Sequence, residues 1–393
     1  MQIGEYLSTK NLEVPPISHI SLSRALFQNT SVEVKPILDE KREEKPFCSV
    51  IIVTYNGKNL LGRFLPSIMN LDYENLEVII VDNASTDNSV QFLKEHYSNC
   101  KVVKSPQNFG TAEGSNLGIP YAKGEYILWL SNDMELDPSL LRWMVKTAEC
   151  SPKIGICTCK MRRITAQGKK LNIIDSVGAE IDRFGFPSAR GINEPDKGQL
   201  DETSEVFFSF GGAMLIKKEL INKIGAYDPT FFTLADDIDL CWRAHLAGYQ
   251  VVVQPQALLY HRVSATLGTT FGRSKKRYMA EKNTFRMLIK NYSSSTLAKI
   301  LPQYLGLLTA EITLFLMLRK LRLVTAYLQA ILWNLHNFKD TWTWRMAVQR
   351  LRVISDREIQ KMMHKKSFKI KILKEFLRAR KSASWQAYFG ETN

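Results

Sequence analysis

Short hydrophobic segments alternate with helical patterns along the first part of the chain. The strand-like segments are residues 48–53, 76–81, 102–103 and 126–130, and the helical patterns that follow them are residues 60–70, 89–97, 111–122 and 138–149. Strands that alternate with helices are typical of βαβ units. The pattern therefore predicts an α/β fold with a mostly parallel, twisted sheet that is covered by helices on both faces.

Polar and acidic residues stand directly after several of these predicted strands. They are Thr54, Tyr55, Asn56, Asp82, Asn132 and Asp133, and a later aromatic segment leads into Asp236 and Asp237. In open α/β sheets, ligands bind at the carboxyl ends of the strands. Carboxylates concentrated there predict an enzyme whose site holds a metal ion, a polyphosphate or a catalytic base.

The chain between residues 154 and 253 is less regular. Residues 154–210 indicate short strands and a long loop, whereas residues 237–247 indicate a helix and residues 251–253 a strand. The pair Gly211-Gly212 interrupts a strand-like segment. Two adjacent glycines favour either a close approach of the backbone to a ligand or a simple bulge.

The C-terminal third has a different character. Residues 297–318 and 323–338 are strongly apolar, but charged side chains such as Lys299 and Glu311 disfavour insertion at the centre of a membrane. Apolar faces with nearby Trp and many basic residues are typical of helices that lie in the membrane interface. A helical hairpin packed on the catalytic domain and a transmembrane hairpin are the alternatives.

Composition and charge refine this organisation. The 393 residues are 45% hydrophobic and 23% charged, as in globular proteins. We divide them into an N-terminal extension (1–46), a catalytic domain (47–292), amphipathic helices (293–345) and a basic helical tail (346–393). From Arg319 onward, 17 Lys and Arg face 5 Asp and Glu, so most of the net charge of +14 lies there. Such a tail predicts contact with anionic lipid or nucleic acid, or is simply a solvated helix.

Cysteines and targeting signals favour the cytosol. The six cysteines show no zinc spacing, and Cys157 and Cys159 alternate along a predicted strand as small buried side chains would. The first 30 residues contain no apolar segment typical of a secretory signal.

The sequence also contains neither GxGxxG at the first helix nor GxxxxGK[ST], which disfavours dinucleotide-binding dehydrogenases and P-loop enzymes.

An ordered series of motifs between residues 47 and 292 resembles the family 2 glycosyltransferases, and within them a rhamnosyltransferase-like branch. The motifs are Val50-Ile51-Ile52-Val53-Thr54-Tyr55-Asn56, Val81-Asp82-Asn83-Ala84-Ser85-Thr86-Asp87, Asn108-Phe109-Gly110, Leu130-Ser131-Asn132-Asp133, Gly211-Gly212-Ala213-Met214, Gly225-Ala226-Tyr227-Asp228, Asp236-Asp237-Ile238-Asp239 and Tyr260-His261. The resemblance implies a GT-A fold and inverting transfer of a sugar from a nucleoside diphosphate.

The resemblance also implies roles for individual residues. Asp82 matches the acceptor for a pyrimidine imide N–H, and Thr54, Tyr55 and Asn56 would line the nucleoside pocket. The remaining donor-binding residues implied are Asn108, Gly110, Asn132 and Gly212. Asp133, in Ser131-Asn132-Asp133 at the position of a DxD-like motif, and His261 would hold Mg²⁺ or Mn²⁺.

The acidic pair matches the catalytic position of the family. Asp237 would be the base that takes the proton of the acceptor hydroxyl, with Asp236 beside it, and like-charge repulsion would raise its pKa. One of the two would also cap the helix that follows. Asp239 and Arg243, four residues apart, are predicted to form an ion pair. The basic stretch 273–277 with Lys282 is predicted to be a flexible loop over the diphosphate, or a solvated surface.

The sequence thus predicts a glycosyltransferase that uses a dTDP- or UDP-linked sugar, with rhamnose as one candidate, and a glycan or lipid-linked acceptor in polysaccharide or glycoconjugate synthesis. We expect it to be peripheral at the inner, cytoplasmic face of the cell membrane on an anionic surface, with no nucleic-acid partner. The alternatives are a catalytically inactive relative, because Ser131 departs from the motif, and a nucleic-acid-binding protein that uses the basic tail.

Overall fold

A mixed sheet of ten strands lies at the centre of the molecule. The structure, a computed structural model, describes residues 45–210, 212–262 and 272–371. The strands are β1 Cys48–Thr54, β2 Leu76–Asp82, β3 Lys101–Lys104, β4 Tyr126–Ser131, β5 Met134–Leu136, β6 Ile154–Ile164, β7 Lys170–Val177, β8 Ala179–Ile181, β9 Pro187–Ala189, β10 Ser204–Glu205, β11 Ala213–Lys217 and β12 Gln250–His261. The main order is β10-β12-β6-β11-β4-β1-β2-β3, and β8 and β9 form a separate pair.

Six of the ten strands run in one direction. β3, β2, β1 and β4 are parallel neighbours, and β6 and β12 continue in the same direction beyond the antiparallel β11. The predicted α/β class with a mostly parallel sheet is therefore confirmed. The parallel strands bring their carboxyl ends to the same edge of the sheet, where the polar clusters lie.

Helices cover both faces of this sheet, and further helices follow toward the C-terminus. They are α1 Lys58–Met69, α2 Ser89–His96, α3 Gly110–Gly118, α4 Leu140–Glu149, α5 Lys218–Ile224, α6 Asp236–Leu246, α7 Arg273–Asn291, α8 Ser294–Met317, α9 Leu321–His336, α10 Phe338–Leu351 and α11 Asp356–Lys361. Side chains alternate along each strand. Ile51 of β1 accordingly joins the core under α3 and α6, while Val50 and Ile52 join the core under α1 and α4.

Most predicted elements are confirmed to within a few residues. One strand is longer than predicted, and one predicted loop is a helix. The predicted strand at residues 251–253 extends to twelve residues, Gln250–His261, and pairs with both β6 and β5. The prediction of a flexible basic loop at residues 273–277 is wrong, because these residues begin α7. Lys282 is buried on that helix and donates to the Thr230 carbonyl, so it lies in the protein interior.

The C-terminal helices pack against the sheet domain through α7. Arg286 and Lys290 of α7 are fully buried and form ion pairs with Asp228, at 2.8 and 2.7 Å. Lys290 also pairs with Asp239 of α6, which holds Arg243 at 3.0 Å as predicted. By length and composition, α8 alone among the helices of the described part could cross a membrane. The six cysteines are free thiols.

Parts of the predicted organisation lie outside the described residues. These parts are residues 1–44 of the N-terminal extension, Gly211 and residues 263–271 of the predicted catalytic domain, and residues 372–393 of the basic tail.

Candidate active site

The ends of β1 and β2 place Thr54 beside Asp82. These two residues are paired in the parallel ladder, and both side chains are buried. Oδ2 of Asp82 accepts a hydrogen bond from the Ser85 amide at 3.2 Å, but its buried Oδ1 has no hydrogen-bond partner. A buried unsatisfied acceptor costs about 1–3 kcal/mol. Such an atom at a strand end indicates a position where a ligand donates a hydrogen bond.

A cleft of about 430 Å³ opens beside Asp82. Ser85 and Thr86 line one side, and Lys104 and Ser105, at the end of β3, line another. Lys104 and Ser105 were not among the site residues predicted from the sequence. Their position after a short third strand was the available signal, because β3 ends at the same edge as β1 and β2.

The loop after β1 is fixed by neighbouring loops. Asn132 donates to the Thr54 hydroxyl at 2.9 Å, so it supports the pocket from the end of β4. Asn56 has a positive φ of 49°. Its side-chain Oδ1 accepts a hydrogen bond from the Thr86 backbone amide at 2.7 Å, and its own backbone amide donates to the Ser85 hydroxyl. Tyr55, between Thr54 and Asn56, is partly exposed. These contacts, together with the pairing of Thr54 and Asp82, bring together the four residues predicted to bind the nucleoside, namely Thr54, Tyr55, Asn56 and Asp82.

Asn108 and Gly110 form the turn before α3. The Asn108 side chain accepts the Gly110 amide at 2.9 Å, and Gly110 has a φ of +79°. A Cβ at position 110 would lie 2.2 Å from the Phe232 carbonyl oxygen. Packing against Phe232 is thus a sufficient reason for glycine at this position, without any contact with a donor.

Asp133 and His261 lie close together where β4 and β12 end. Nε2 of His261 is 3.7 Å from Oδ1 of Asp133, which is buried and has no hydrogen-bond partner. Nδ1 of His261 is 2.8 Å from Oδ2 of Asp175, on β7. Burial lowers the pKa of His261, but the carboxylates of Asp133 and Asp175 outweigh that effect and raise it to about 9. Asp175 was not among the predicted site residues, because no motif marks β7.

This pair fits a divalent cation, which would replace the proton between Nε2 of His261 and Asp133. An unsatisfied carboxylate oxygen faces an imidazole whose other nitrogen is held by a carboxylate, and metal-binding histidines commonly have that arrangement. A carboxylate with an imidazole suits Mn²⁺ at least as well as Mg²⁺. In the described part of the chain, no group of three or more His, Cys, Asp or Glu side chains is placed to hold a metal. Phosphate and water oxygens would have to complete the coordination.

Gly212 adjoins this region from β11. Its carbonyl oxygen accepts the Ser131 amide at 2.9 Å, and a Cβ at position 212, where φ is +78°, would lie 3.4 Å from the Ser131 hydroxyl. The backbone therefore passes close to the residues that precede Asp133.

The acidic pair stands at the first turn of α6. Asp236 accepts the Thr111 hydroxyl at 3.1 Å, which joins it to the start of α3. Oδ1 of Asp237 accepts the Ile238 amide at 2.8 Å. Burial raises the pKa of both carboxyls, and for Asp237 the neighbouring charge of Asp236 adds to the effect. Carboxyls with raised pKa values at the edge of a site are suited to general-base chemistry at neutral pH.

Two protein-family models match this chain. Residues 49–225 match the model described as Glycosyl transferase family 2, and residues 196–346 match the model described as Glycosyl transferase family group 2. Together the two matches include every site residue described above.

Curated relatives are similar over part of their length. The chain is 26% identical over 262 residues to poly-beta-1,6-N-acetyl-D-glucosamine synthase of Staphylococcus epidermidis, which covers 65% of this chain and 59% of that protein. Against the protein of the same name from Staphylococcus aureus strain MSSA476, identity is 25% over 280 residues, or 70% of this chain and 63% of that protein. The chain therefore spans less than two thirds of these relatives.

Solved structures share the fold. GalNAc-T7 with UDP, GalNAc and Mn²⁺ superposes with a TM-score of 0.52 at 18% identity, covering 65% of this chain and 49% of that one. TarS 1–349 of S. aureus with UDP-GlcNAc gives 0.50 at 17% identity, covering 77% and 90%. At these identities the likeness concerns the fold, and it confirms the predicted GT-A architecture with C-terminal helices.

Proposed function

We propose, on the premise that this chain is a family 2 glycosyltransferase, that it transfers a sugar from a pyrimidine nucleoside diphosphate to a glycan or lipid-linked hydroxyl with inversion. The observation that carries the proposal is the buried, unpartnered Oδ1 of Asp82 at the edge of an open cleft. A pyrimidine imide N–H is the donor that would satisfy it. The structural neighbours with UDP or UDP-GlcNAc bound support a UDP-sugar, and dTDP-rhamnose is the second candidate.

The diphosphate of such a donor requires a positive partner. Asp133 and His261 would hold a divalent cation, and the neighbour solved with Mn²⁺ supports this assignment. When bound, the cation offsets the charge that the leaving diphosphate gains. Asp175 would keep the Nδ1 proton of His261 in place and leave Nε2 directed at Asp133.

The transfer is a single displacement in this proposal. The acceptor oxygen attacks the anomeric carbon while the bond from that carbon to the diphosphate breaks, which inverts the configuration. Asp237 takes the hydroxyl proton, and the electron pair leaves with the nucleoside diphosphate. Asp236 binds Thr111 and thereby joins the base to α3, whose first residue, Gly110, belongs to the predicted donor side.

Calorimetric binding of sugar nucleotides is the test of this function. UDP-GlcNAc, dTDP-rhamnose and GDP-mannose are titrated with and without Mn²⁺ into wild type, Asp82→Asn and the exposed control Asp72→Asn. We expect a pyrimidine donor to bind and Asp82→Asn to weaken it about 10–100-fold, because an acceptor for the imide N–H is replaced by a donor. Asp72→Asn should bind as wild type does. Equal affinity in wild type and Asp82→Asn, or no binding of any pyrimidine donor by folded protein, would contradict the proposal.

A lipid surface is proposed as the second partner. An exposed apolar stripe runs along α9 and continues along α10. It consists of Leu321, Leu328, Leu332, Leu335, Phe338, Trp342 and Met346. Spacings of three, four and seven residues place its members on one side of each helix. Exposed basic residues stand next to it in the chain, at Arg319, Arg322 and Lys339. Apolar side chains bordered by positive charge match an anionic membrane surface, which supports placement at the inner face of the cell membrane.

Vesicle sedimentation measures this association. Wild type should bind vesicles containing anionic lipid more tightly than neutral vesicles, and salt should weaken the binding. The double substitution Leu332→Glu/Trp342→Glu should lower anionic-vesicle binding by at least about tenfold, since it removes two apolar contacts and adds two repelled charges. Leu332 and Trp342 are 63% and 44% exposed, so folding should be unaffected. Unchanged vesicle binding by the double variant would exclude this stripe as the contact.

A further inference from the structure

The loop that leads into the acidic pair has an unusual backbone. Phe232, Leu234 and Ala235 all have positive φ angles, of 64°, 69° and 62°. None of them is glycine, and each such residue costs about 1–2 kcal/mol. Strained residues persist only where the surroundings fix them, and they concentrate at functional sites. Asp236 follows Ala235 directly.

A single side chain from α7 binds most of this loop. Asn283 is fully buried, and its Nδ2 donates to the carbonyl oxygens of Phe231, Thr233 and Leu234 at 3.0, 2.9 and 2.6 Å. Its own Oδ1 is buried without a hydrogen-bond partner. Rotating the amide would turn an oxygen toward three carbonyl oxygens, so the orientation is determined. The Oδ1 atom of Asn283 thus has no hydrogen bond, while its Nδ2 group binds the loop.

Residues at the start of α3 bind the remaining carbonyl group of the loop, that of Phe232. The Phe232 oxygen accepts the Ala112 amide and the Thr111 hydroxyl, both at 3.2 Å. Of four consecutive carbonyls, from Phe231 to Leu234, three are therefore bound from α7 and one, that of Phe232, from α3. The single hydrogen of the Thr111 hydroxyl is shared between the Phe232 oxygen and Oδ2 of Asp236, which lies 3.1 Å away. The orientation of the acidic pair is consequently determined by two helices that lie far apart in the sequence.

We propose that Asn283 is a positioning residue for catalysis. It holds the strained loop so that Asp237 faces the acceptor hydroxyl while Asp236 stays on Thr111, and this role rests on the proposed glycosyl transfer. Asn283 itself touches no reacting atom. Without its amide group, the loop relaxes toward ordinary backbone conformations and the acidic pair shifts. A misplacement of about 1 Å in a catalytic group costs on the order of 10²-fold in rate.

Asn334→Ala is a matched control for Asn283→Ala. Asn334 is also a buried amide, on α9, and donates to the carbonyls of Lys282 and Ala330, so it contacts α7 but not the loop. Two measurements compare the variants with wild type: steady-state kcat and KM for the sugar nucleotide, and hydrogen–deuterium exchange of the peptide covering residues 232–239. We expect Asn283→Ala to lower kcat about 10²-fold, to change KM by less than about threefold, and to accelerate exchange. Asn334→Ala should leave kcat within about threefold and exchange unchanged.

The outcomes separate this inference from the proposed function. Active wild type with equal effects from the two variants would overturn the positioning role. Wild type that turns over no sugar nucleotide would refute the proposed function. Hydrogen exchange would then decide whether Asn283 holds the loop. Unchanged exchange in Asn283→Ala would overturn the inference, and faster exchange would support it. If Asn283→Ala does not fold, Asn283→Leu is used, because it keeps a similar volume and removes the amide donors without burying a charge.

Discussion

Asp237→Asn is expected to lower kcat by about 10²–10⁴-fold, the usual contribution of a general base. An amide has the shape of the carboxyl but takes no proton at neutral pH. Donor affinity measured by calorimetry should stay within about threefold of wild type, because no donor contact is assigned to Asp237. Donor turnover with acceptor, measured from released nucleotide, provides the rate.

The same substitution should leave the melting temperature unchanged or raise it. Burial and the neighbouring Asp236 raise the pKa of Asp237, so the ionised carboxyl destabilises the folded protein at neutral pH. A neutral amide removes that repulsion. In wild type the rate should fall as pH decreases through the raised pKa, well above the ordinary aspartate value of about 3.9. A loss of activity accompanied by lower stability would instead indicate a structural role.

Asp236→Asn discriminates between the two acids. Asp236 accepts the Thr111 hydroxyl, and an asparagine can retain that hydrogen bond because a hydroxyl both donates and accepts. Its kcat should therefore fall less than that of Asp237→Asn. A larger loss for Asp236→Asn would transfer the role of base to Asp236.

The parallel part of the fold and the strand-end residues were predictable because they follow local rules. A buried parallel strand is apolar along its whole length, so β1, β2 and β4 are evident in the sequence, and their last residues must meet at one edge. Thr54 and Asp82 are paired for that reason. The ion pair of Asp239 with Arg243 follows from helical spacing in the same way.

The elements that were missed depend on contacts distant in sequence. α7 appears solvated in the sequence because it carries Lys282, Asn283, Arg286 and Lys290, yet all four are buried. Their partners, such as Asp228 and the carbonyls near Phe231, come from a loop about fifty residues earlier. Asp175 likewise reaches His261 from a strand without a motif. Hydropathy treats such side chains as exposed, since it contains no information about pairing in the interior.

Asp228→Ala is expected to destabilise the protein by about 3–5 kcal/mol, the usual effect of removing one partner from a buried ion pair. Asp228 is buried between the fully buried Arg286 and Lys290, and it also receives the Thr230 amide and hydroxyl. Thermal unfolding should shift downward by about 10 °C for a domain of this size. Asp72→Ala removes an exposed partner of Arg142 and should change stability by less than about 1 kcal/mol.

A second substitution identifies the source of this instability. If excess buried positive charge is responsible, Asp228→Ala/Lys290→Met should be more stable than Asp228→Ala, since it removes one of the two buried cations that Asp228 neutralised. Asp239 then still pairs with Arg243. Equal instability of the single and double variants would show that the lost contacts to Thr230 dominate instead.

Acid provides an independent check on the same group. Burial raises the pKa of Asp228, but the charges of Arg286 and Lys290 outweigh burial and hold it far below the ordinary value. A depressed folded pKa stabilises the protein fully above the unfolded pKa of about 3.9, and this stability is lost as pH falls below it. The melting temperature of wild type should therefore fall more steeply below about pH 4 than that of Asp228→Ala. Because Asp228 joins α7 to the loop before the acidic pair, the acid-induced loss should also accelerate hydrogen exchange at residues 232–239, which contain the proposed catalytic base.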